Sequence, residues 1–357
     1  MGRRKIITKN ELERIRKILI IQYKPFGDIL LNTGYLPVLR EKFPQAQIDF
    51  LIQKPYKTIL EDNPNIDNLI LMKKKKKEGF YHLSYFWERI RIIQFVKSTK
   101  YDVIIDQFRN PGSAIISLFS GAKYRIGWKN KRWEWVYNYK VERDNLRYYS
   151  RAKFDLLNPL GIKEKPHNTY YKVKNSSQKK IDNWLNENGL LKKKIIVFSP
   201  GTPVLAKQWD LDNYAKLGDM LLENNDKELV LLWGPGERKD VEHIYERMSK
   251  KPIIALPTTF NEAAALIKRT YVYISNDGGI NHLAVAMGTP TITIFGPKTN
   301  PKKWVAWHKP IHKYVRNWDF KKSDYRRTRD KTFQITPQMV YEKFLALQQI
   351  LENGNKT

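Results

Sequence analysis

Four short segments of this chain carry side chains suited to chemistry at the end of a strand. The first is Lys24-Pro25-Phe26-Gly27-Asp28. Gly27 permits a tight turn, and Asp28 stands where a helix should begin. Position alone favours a helix N-cap, a carboxylate accepting backbone N–H bonds. The sharper reading is a general base. A helix N-terminus keeps a carboxylate ionised near neutral pH, and an ionised carboxylate takes the proton of a sugar hydroxyl as that hydroxyl attacks.

The second segment is Ser275-Asn276-Asp277-Gly278-Gly279-Ile280-Asn281-His282. Two glycines let a phosphate approach the backbone, and the following helix offers free N–H groups at its positive end. His282, in the first helical turn, points toward the same anion or serves as a hydrogen-bonded structural histidine. An Asp-capped turn is the plain alternative for the loop. The third segment is Ser199-Pro200-Gly201-Thr202 with Lys207 behind it. A lysine there neutralises a pyrophosphate, or is one more surface charge in a basic chain. The fourth is Trp233-Gly234-Pro235-Gly236-Glu237. Glu237 caps its helix or accepts hydrogen bonds from ribose hydroxyls.

These segments need strands before them and helices after them. Ile18–Tyr23, Ile48–Ile52, Asn68–Met72 and Val103–Ile105 read as buried strands, and Asp28–Phe43 as a helix. The pattern restarts with strands at Ile195–Ser199, Leu229–Trp233, Tyr271–Ser275 and Thr291–Phe295. Helices over Asp212–Asn224, Glu237–Ser249 and Ile280–Met287 lie between them. Such alternation predicts parallel sheets covered by helices. The polar stretch Val173–Lys180 reads as the join. The expected organisation is an N-terminal domain over 1–175, a C-terminal domain over 176–334 that holds three of the four segments and so suits a nucleotide diphosphate, and a helix in 335–357 that packs back on the N-terminal domain. The fold class is α/β, two doubly wound Rossmann-like domains facing a central cleft. Ligands of such sheets sit beyond the carboxyl ends of the strands, where all four segments fall.

Composition narrows the choices. The 357 residues hold 65 Lys+Arg against 36 Asp+Glu, a net charge of +29, with 41% hydrophobic residues and no cysteine. The charge favours anionic partners without choosing among them. The absence of cysteine removes disulfides, zinc–thiolate sites and thiol nucleophiles. GxxxxGK[ST], GxGxxG after the first strand and HExxH are absent, which weakens kinase, dehydrogenase and metalloprotease readings; no metal or cofactor is expected. No apolar run reaches the length of a membrane span, so a cytoplasmic protein is expected.

At these motifs the chain resembles the ADP-heptose:lipopolysaccharide heptosyltransferase family, which has the GT-B fold. Lys17–Ile52 looks like the family's opening strand, loop, helix and strand, and Tyr101–Trp128 its middle N-domain segment. Ser199–Trp209 and Val272–Pro297 resemble its C-domain loops. The resemblance implies inverting transfer of a sugar from a nucleotide diphosphate, ADP-heptose, to the phosphorylated, lipid-linked inner-core saccharide of lipopolysaccharide. It implies Asp28 as catalytic base. Lys207, Asp277, Gly278, Gly279 and His282 fall at the donor phosphates, and Glu237, less closely matched, at the ribose. Lys24 and Arg109 are acceptor-side candidates. Gly278 stands where the family often has Thr, and Asn110-Pro111 departs from its usual run.

The charge then has a use. Residues 1–170 hold 34 Lys+Arg and 17 Asp+Glu. Lys73–Lys77 beside the aromatics of Phe80–Trp87, and the mixed cations and aromatics of Lys123–Tyr149, suit an anionic lipid surface, hence peripheral attachment to the inner membrane. A solvated lysine-rich surface is the plain alternative. Two other classes stay open: another GT-B nucleotide-sugar transferase or epimerase and, more distantly, a nucleic-acid-binding protein. For the latter no RNP1-like run or zinc finger is present.

Overall fold

The computed structural model describes residues 6–73, 81–130, 132–144, 146–165, 167–223, 226–296, 299–316 and 334–354, with backbone only for 81–85 and 354. The chain divides into two compact units, Met1–Tyr171 and Lys172–Thr357.

The N-terminal unit is built on β1 (Lys17–Ile21), β2 (Gln47–Gln53), β3 (Asn68–Met72), β4 (Val103–Asp106), β5 (Tyr124–Trp128) and β6 (Tyr139–Val141). They form one sheet in the order β3-β2-β1-β4-β5-β6, every pair parallel. Central strands of such a sheet are covered on both faces, so they read as unbroken apolar runs. Ile18 to Ile21 and Val103 to Ile105 are accordingly buried. The strand order reverses between β1 and β4, and a doubly wound sheet binds its ligand beyond the strand ends at that point. The loops there carry Asp28 and Arg109.

The expected single helix over Asp28–Phe43 is two helices, Phe26–Asn32 and Leu36–Lys42. Pro37 is the cause. Its ring has no N–H to donate and fits only the first turn of a helix, so a new helix must start just before it. The turn between is packed tightly, since a Cβ on Gly34 would lie 2.7 Å from Ser150 Oγ.

The C-terminal unit repeats the plan with β7 (Lys194–Ser199), β8 (Lys227–Leu231), β9 (Ile253–Ile254), β10 (Val272–Asn276), β11 (Thr291–Phe295) and β12 (His312–Arg316). The order is β12-β11-β10-β7-β8-β9, again all parallel. Its reversal falls between β7 and β10, whose following loops hold Lys207 and Asp277.

Two expectations about segment limits change. The join falls beside the expected polar stretch, between Tyr171 and Lys172, and from Asn175 that stretch opens the helix Asn175–Glu187, which buries Ile181 and Leu185. The terminal helix, Pro337–Gly354, was expected to pack back on the N-terminal domain. Its apolar face instead joins the C-terminal unit's core, where Val340, Phe344 and Leu347 are buried with Trp209, Tyr214 and Leu217. Trp209 Nε1 donates to the Ile335 carbonyl at 2.9 Å and ties the start of that helix down. Among the described residues no helix is long and apolar enough to cross a membrane.

Candidate active site

In the N-terminal unit, Asp28 is the third residue of the helix Phe26–Asn32, and Pro25 holds the cap position. The carboxylate therefore does not cap. Its Oδ1 is buried and has no hydrogen-bond partner. Burial raises the Asp28 pKa, and the charges of Lys153 and then Arg143 oppose the rise. The expectation of a carboxylate held acidic by a helix end is thus replaced by a balance between desolvation and two cations. Desolvation makes the carboxylate a stronger base, and the two cations favour its charged form, a combination suited to proton abstraction.

The cations come from a segment that carried no such expectation. Lys153 is fully buried. Its Nζ lies 4.8 Å from the centroid of the Tyr149 ring and 3.4 Å from Gln22 Oε1. Arg143 Cζ lies 3.8 Å from the centroid of the same ring. Arg109 acts electrostatically on both Arg143 and Tyr149, so it belongs to the cluster. The loop that presents Arg109 is held in shape by Asp106, whose Oδ1 accepts the N–H of Phe108 at 2.9 Å and of Arg109 at 3.4 Å. That turn leaves Arg109 at φ +56°, a left-handed conformation unfavourable for a residue with a Cβ. Lys24 lies in the loop between β1 and the helix that carries Asp28, and is exposed. Asn110 caps the helix Pro111–Phe119, accepting from Gly112 and Ser113, so the unusual Asn110-Pro111 pair is a helix start.

In the C-terminal unit, Lys207 Nζ lies 2.6 Å from Asp277 Oδ2. Asn276 fastens the two loops beneath that pair: its Oδ1 accepts the Trp209 N–H at 2.9 Å, and its Nδ2 donates to the Pro200 carbonyl at 2.6 Å. Gly278 occupies the cap position of the helix Gly279–Ala286 without any side-chain cap, so the first amides of that helix are not claimed by a capping side chain. Such amides, with the helix dipole behind them, attract a phosphate. A Cβ on Gly278 would meet only the Asn276 carbonyl, at 3.9 Å, so this position has room for a side chain. His282 is buried with Nδ1 unpartnered. Burial pushes its pKa down to about 4 against the pull of Asp277, so the ring is neutral at pH 7.

Glu237 holds the N-cap position of the helix Arg238–Arg247, but its side chain makes no capping hydrogen bond to that helix. Its Oε2 accepts the Gly234 N–H at 2.8 Å, and burial raises its pKa. A Cβ on Gly201 would lie 2.0 Å from Glu237 Cδ, so the β7 loop passes the carboxylate at close range and a side chain there would push it aside. Glu237, Lys207, Asp277 and His282 thus come from the loops after β7, β8 and β10 of one sheet. Among the described residues no group of three His, Asp or Glu is placed to hold a metal ion.

The surface expectations fare unevenly. Phe86 and Trp87 are 57% and 61% exposed; Lys74–Lys77 and Phe80 lie outside the described residues. In Lys123–Tyr149, however, Tyr124, Trp128, Tyr137, Tyr139, Tyr148 and Tyr149 are buried and Trp135 is exposed. Most aromatics of that stretch therefore face the interior, with Tyr149 and the half-buried Arg143 beside Asp28, while Lys123, Lys129, Arg132 and Lys140 stay exposed.

A model of "Glycosyltransferase family 9 (heptosyltransferase)" matches residues 89–332. The chain is similar to lipopolysaccharide heptosyltransferase 3 of Escherichia coli, 26% identical over 317 residues that span 85% of this chain and 90% of the relative. Its fold is similar to a solved glycosyl transferase family 9 protein from Veillonella parvula, with TM-score 0.76, 21% identity and coverage of 93% and 97%. It is also similar to E. coli heptosyltransferase WaaC solved with ADP-2-deoxy-2-fluoro heptose, with TM-score 0.68, 17% identity and coverage of 92% and 99%.

Proposed function

Since the chain belongs to glycosyltransferase family 9 (heptosyltransferase), we propose that it moves a heptose from ADP-heptose to the inner-core saccharide of lipopolysaccharide, with inversion at the anomeric carbon. The acceptor hydroxyl attacks that carbon, a C–O bond forms, and the bond to the β-phosphate oxygen breaks so that ADP leaves. Asp28 takes the hydroxyl proton. Lys207 and the amides at Gly278 and Gly279 take up charge on the departing diphosphate. Glu237 accepts from the donor ribose. His282 packs beneath the loop as a neutral ring, and Asp277 orients Lys207. Lys24 and Arg109 face the acceptor.

One observation carries the assignment of Asp28: a carboxylate with a buried, unpartnered oxygen at the switch point of the N-terminal sheet, with cations beside it. The nucleotide and the acceptor rest on the relatives' names and the bound analogue above. The direct test is a transfer assay with ADP-heptose and heptose-deficient inner-core lipopolysaccharide, followed by mass spectrometry. The expected product is the acceptor one heptose heavier, with ADP released in equal amount. Donor consumed without acceptor would favour an epimerase, and preference for a uridine donor would change the nucleotide.

We further propose that the N-terminal unit works at an anionic lipid surface. On the helix Tyr81–Thr99, Phe86 and Trp87 are exposed and pack edge to face at 5.9 Å, and Phe95 is 44% exposed. Exposed aromatics on a unit with twice as many basic as acidic residues suit such an interface. Sedimentation with phosphatidylglycerol vesicles at low salt should capture the protein, and Phe86→Ser with Trp87→Ser should reduce capture. Equal binding to uncharged vesicles would sink the proposal.

A further inference from the structure

We propose that Lys153 is a positioning residue for Asp28: its enclosed ammonium supplies the positive charge against which the Asp28 carboxylate is held, without bonding to it. This rests on Asp28 being the base, as proposed above. Lysine is almost never fully buried, because its ammonium loses hydration and needs compensation. Lys153 is nevertheless fully buried. Its direct partners are weak for a whole charge: Gln22 Oε1 at 3.4 Å and the face of Tyr149 at 4.8 Å. Neither is an anion. The backbone carbonyl of Lys153 is used separately, accepting from Gln107 Nε2 at 3.1 Å.

The missing anion is Asp28, half-buried and with one buried, orphaned oxygen, Oδ1. Each group favours the charged form of the other, and Lys153 acts on Asp28 more than Arg143 does. The charged and titratable groups around the carboxylate are Lys153, Arg143, Tyr149 and, further out, Arg109. No salt bridge joins Lys153 to Asp28 among the described residues. That separation matters chemically. A carboxylate saturated by hydrogen bonds to an ammonium is a poor base, because its lone pairs are engaged. A through-space cation keeps the carboxylate charged and leaves its oxygens open to an incoming hydroxyl. Burial pulls Lys153 down to about 8, so the arrangement holds below that pH and loosens above it.

The test reads Asp28 itself. The full-length protein is labelled with carboxyl-13C aspartate, and Asp28→Asn identifies the resonance. In the wild type the Asp28 signal should titrate and then show a second, smaller step between about pH 7 and 9 as Lys153 loses its proton. In Lys153→Met the first midpoint should move to higher pH by about one unit or more, and the second step should vanish. Lys153→Arg should keep the first midpoint and also lose the second step. Midpoints that coincide in all three folded proteins would overturn the proposal. Should Lys153→Met not fold, absence of the second step in the wild type would overturn it. If Asp28→Asn retains full transfer, the base assignment fails separately, while the titration still decides whether Lys153 sets the charge of Asp28.

Discussion

Lys207 and Asp277, seventy residues apart in sequence, meet at 2.6 Å on neighbouring loops of the C-terminal unit. Asp277 is buried and Lys207 is about one-third exposed. The carboxylate thus fixes an ammonium whose remaining N–H donors face outward. A lysine fixed in this way loses less side-chain entropy on meeting a diphosphate.

Lys207→Ala should therefore weaken ADP binding by about 1.5–3 kcal/mol, roughly 10- to 150-fold, which is the range for hydrogen bonds to charged groups. Titration calorimetry with ADP measures it. Unchanged affinity would remove Lys207 from the phosphate site.

The two glycines nearest these loops should respond in opposite ways. Gly201→Ala drives a Cβ into the Glu237 carboxylate, whose displacement breaks its hydrogen bond to the Gly234 N–H, and should cost about 0.5–1.5 kcal/mol of stability. Gly278→Thr meets open space at a φ of −162° that any residue adopts, so it should fold within about 0.5 kcal/mol of wild type. The added hydroxyl stands at the proposed phosphate loop and should tighten ADP. Chemical denaturation of both variants decides the contrast; equal losses would contradict the loop geometry.

Acid should unfold this protein in a window set by two buried histidines. Burial pushes His282 down to about 4 and His312 down to about 3, against 6.5 in an open chain. Below pH 6.5 the unfolded chain binds protons that the folded rings refuse, so stability is full above 6.5 and falls as pH drops toward 4. Each histidine contributes about 1.4 kcal/mol per pH unit across its window. Urea midpoints of wild type and His282→Asn at pH 7, 5.5 and 4.5 should converge as pH falls. Parallel curves would show that His282 does not titrate as described.

Asn276 should matter more than its small side chain suggests. It accepts from Trp209 N and donates to the Pro200 carbonyl, both buried. Asn276→Ala leaves the Trp209 N–H unsatisfied, whereas the Pro200 carbonyl keeps Gln208 Nε2 at 3.2 Å, so the change should cost about 1–3 kcal/mol. A change under 1 kcal/mol in thermal or urea unfolding would show that water replaces it.

The strands that bind the sheets together were plain in the sequence, because a strand covered on both faces has little choice but to be apolar. ILII, IIVF and TITIF are such runs. The strands at one side of each sheet were not plain. Tyr124–Trp128, Tyr139–Val141 and His312–Arg316 mix polar and apolar residues because they are less fully covered. The glycine-bearing joints were legible for the same local reason: a turn into a helix leaves a short signature. Lys153 left none. What makes it unusual is burial among Gln22, Gln107 and Tyr149, two of them 46 and 131 residues away, and in a chain with 65 basic residues one more lysine reads as surface. Arg143 and Tyr149 belong to a basic aromatic stretch whose composition does not report which way each side chain turns; Tyr149 is buried and Arg143 half-buried over its ring.

The role of Asp28 is tested most directly by Asp28→Asn, assayed for heptose transfer and, in parallel, for ADP binding. Amide for carboxylate keeps shape and removes the base. Transfer should fall by at least about 100-fold, while the ADP dissociation constant stays within a factor of about two, below half a kcal/mol. Transfer near the wild-type rate, with binding intact, would contradict the account at its centre.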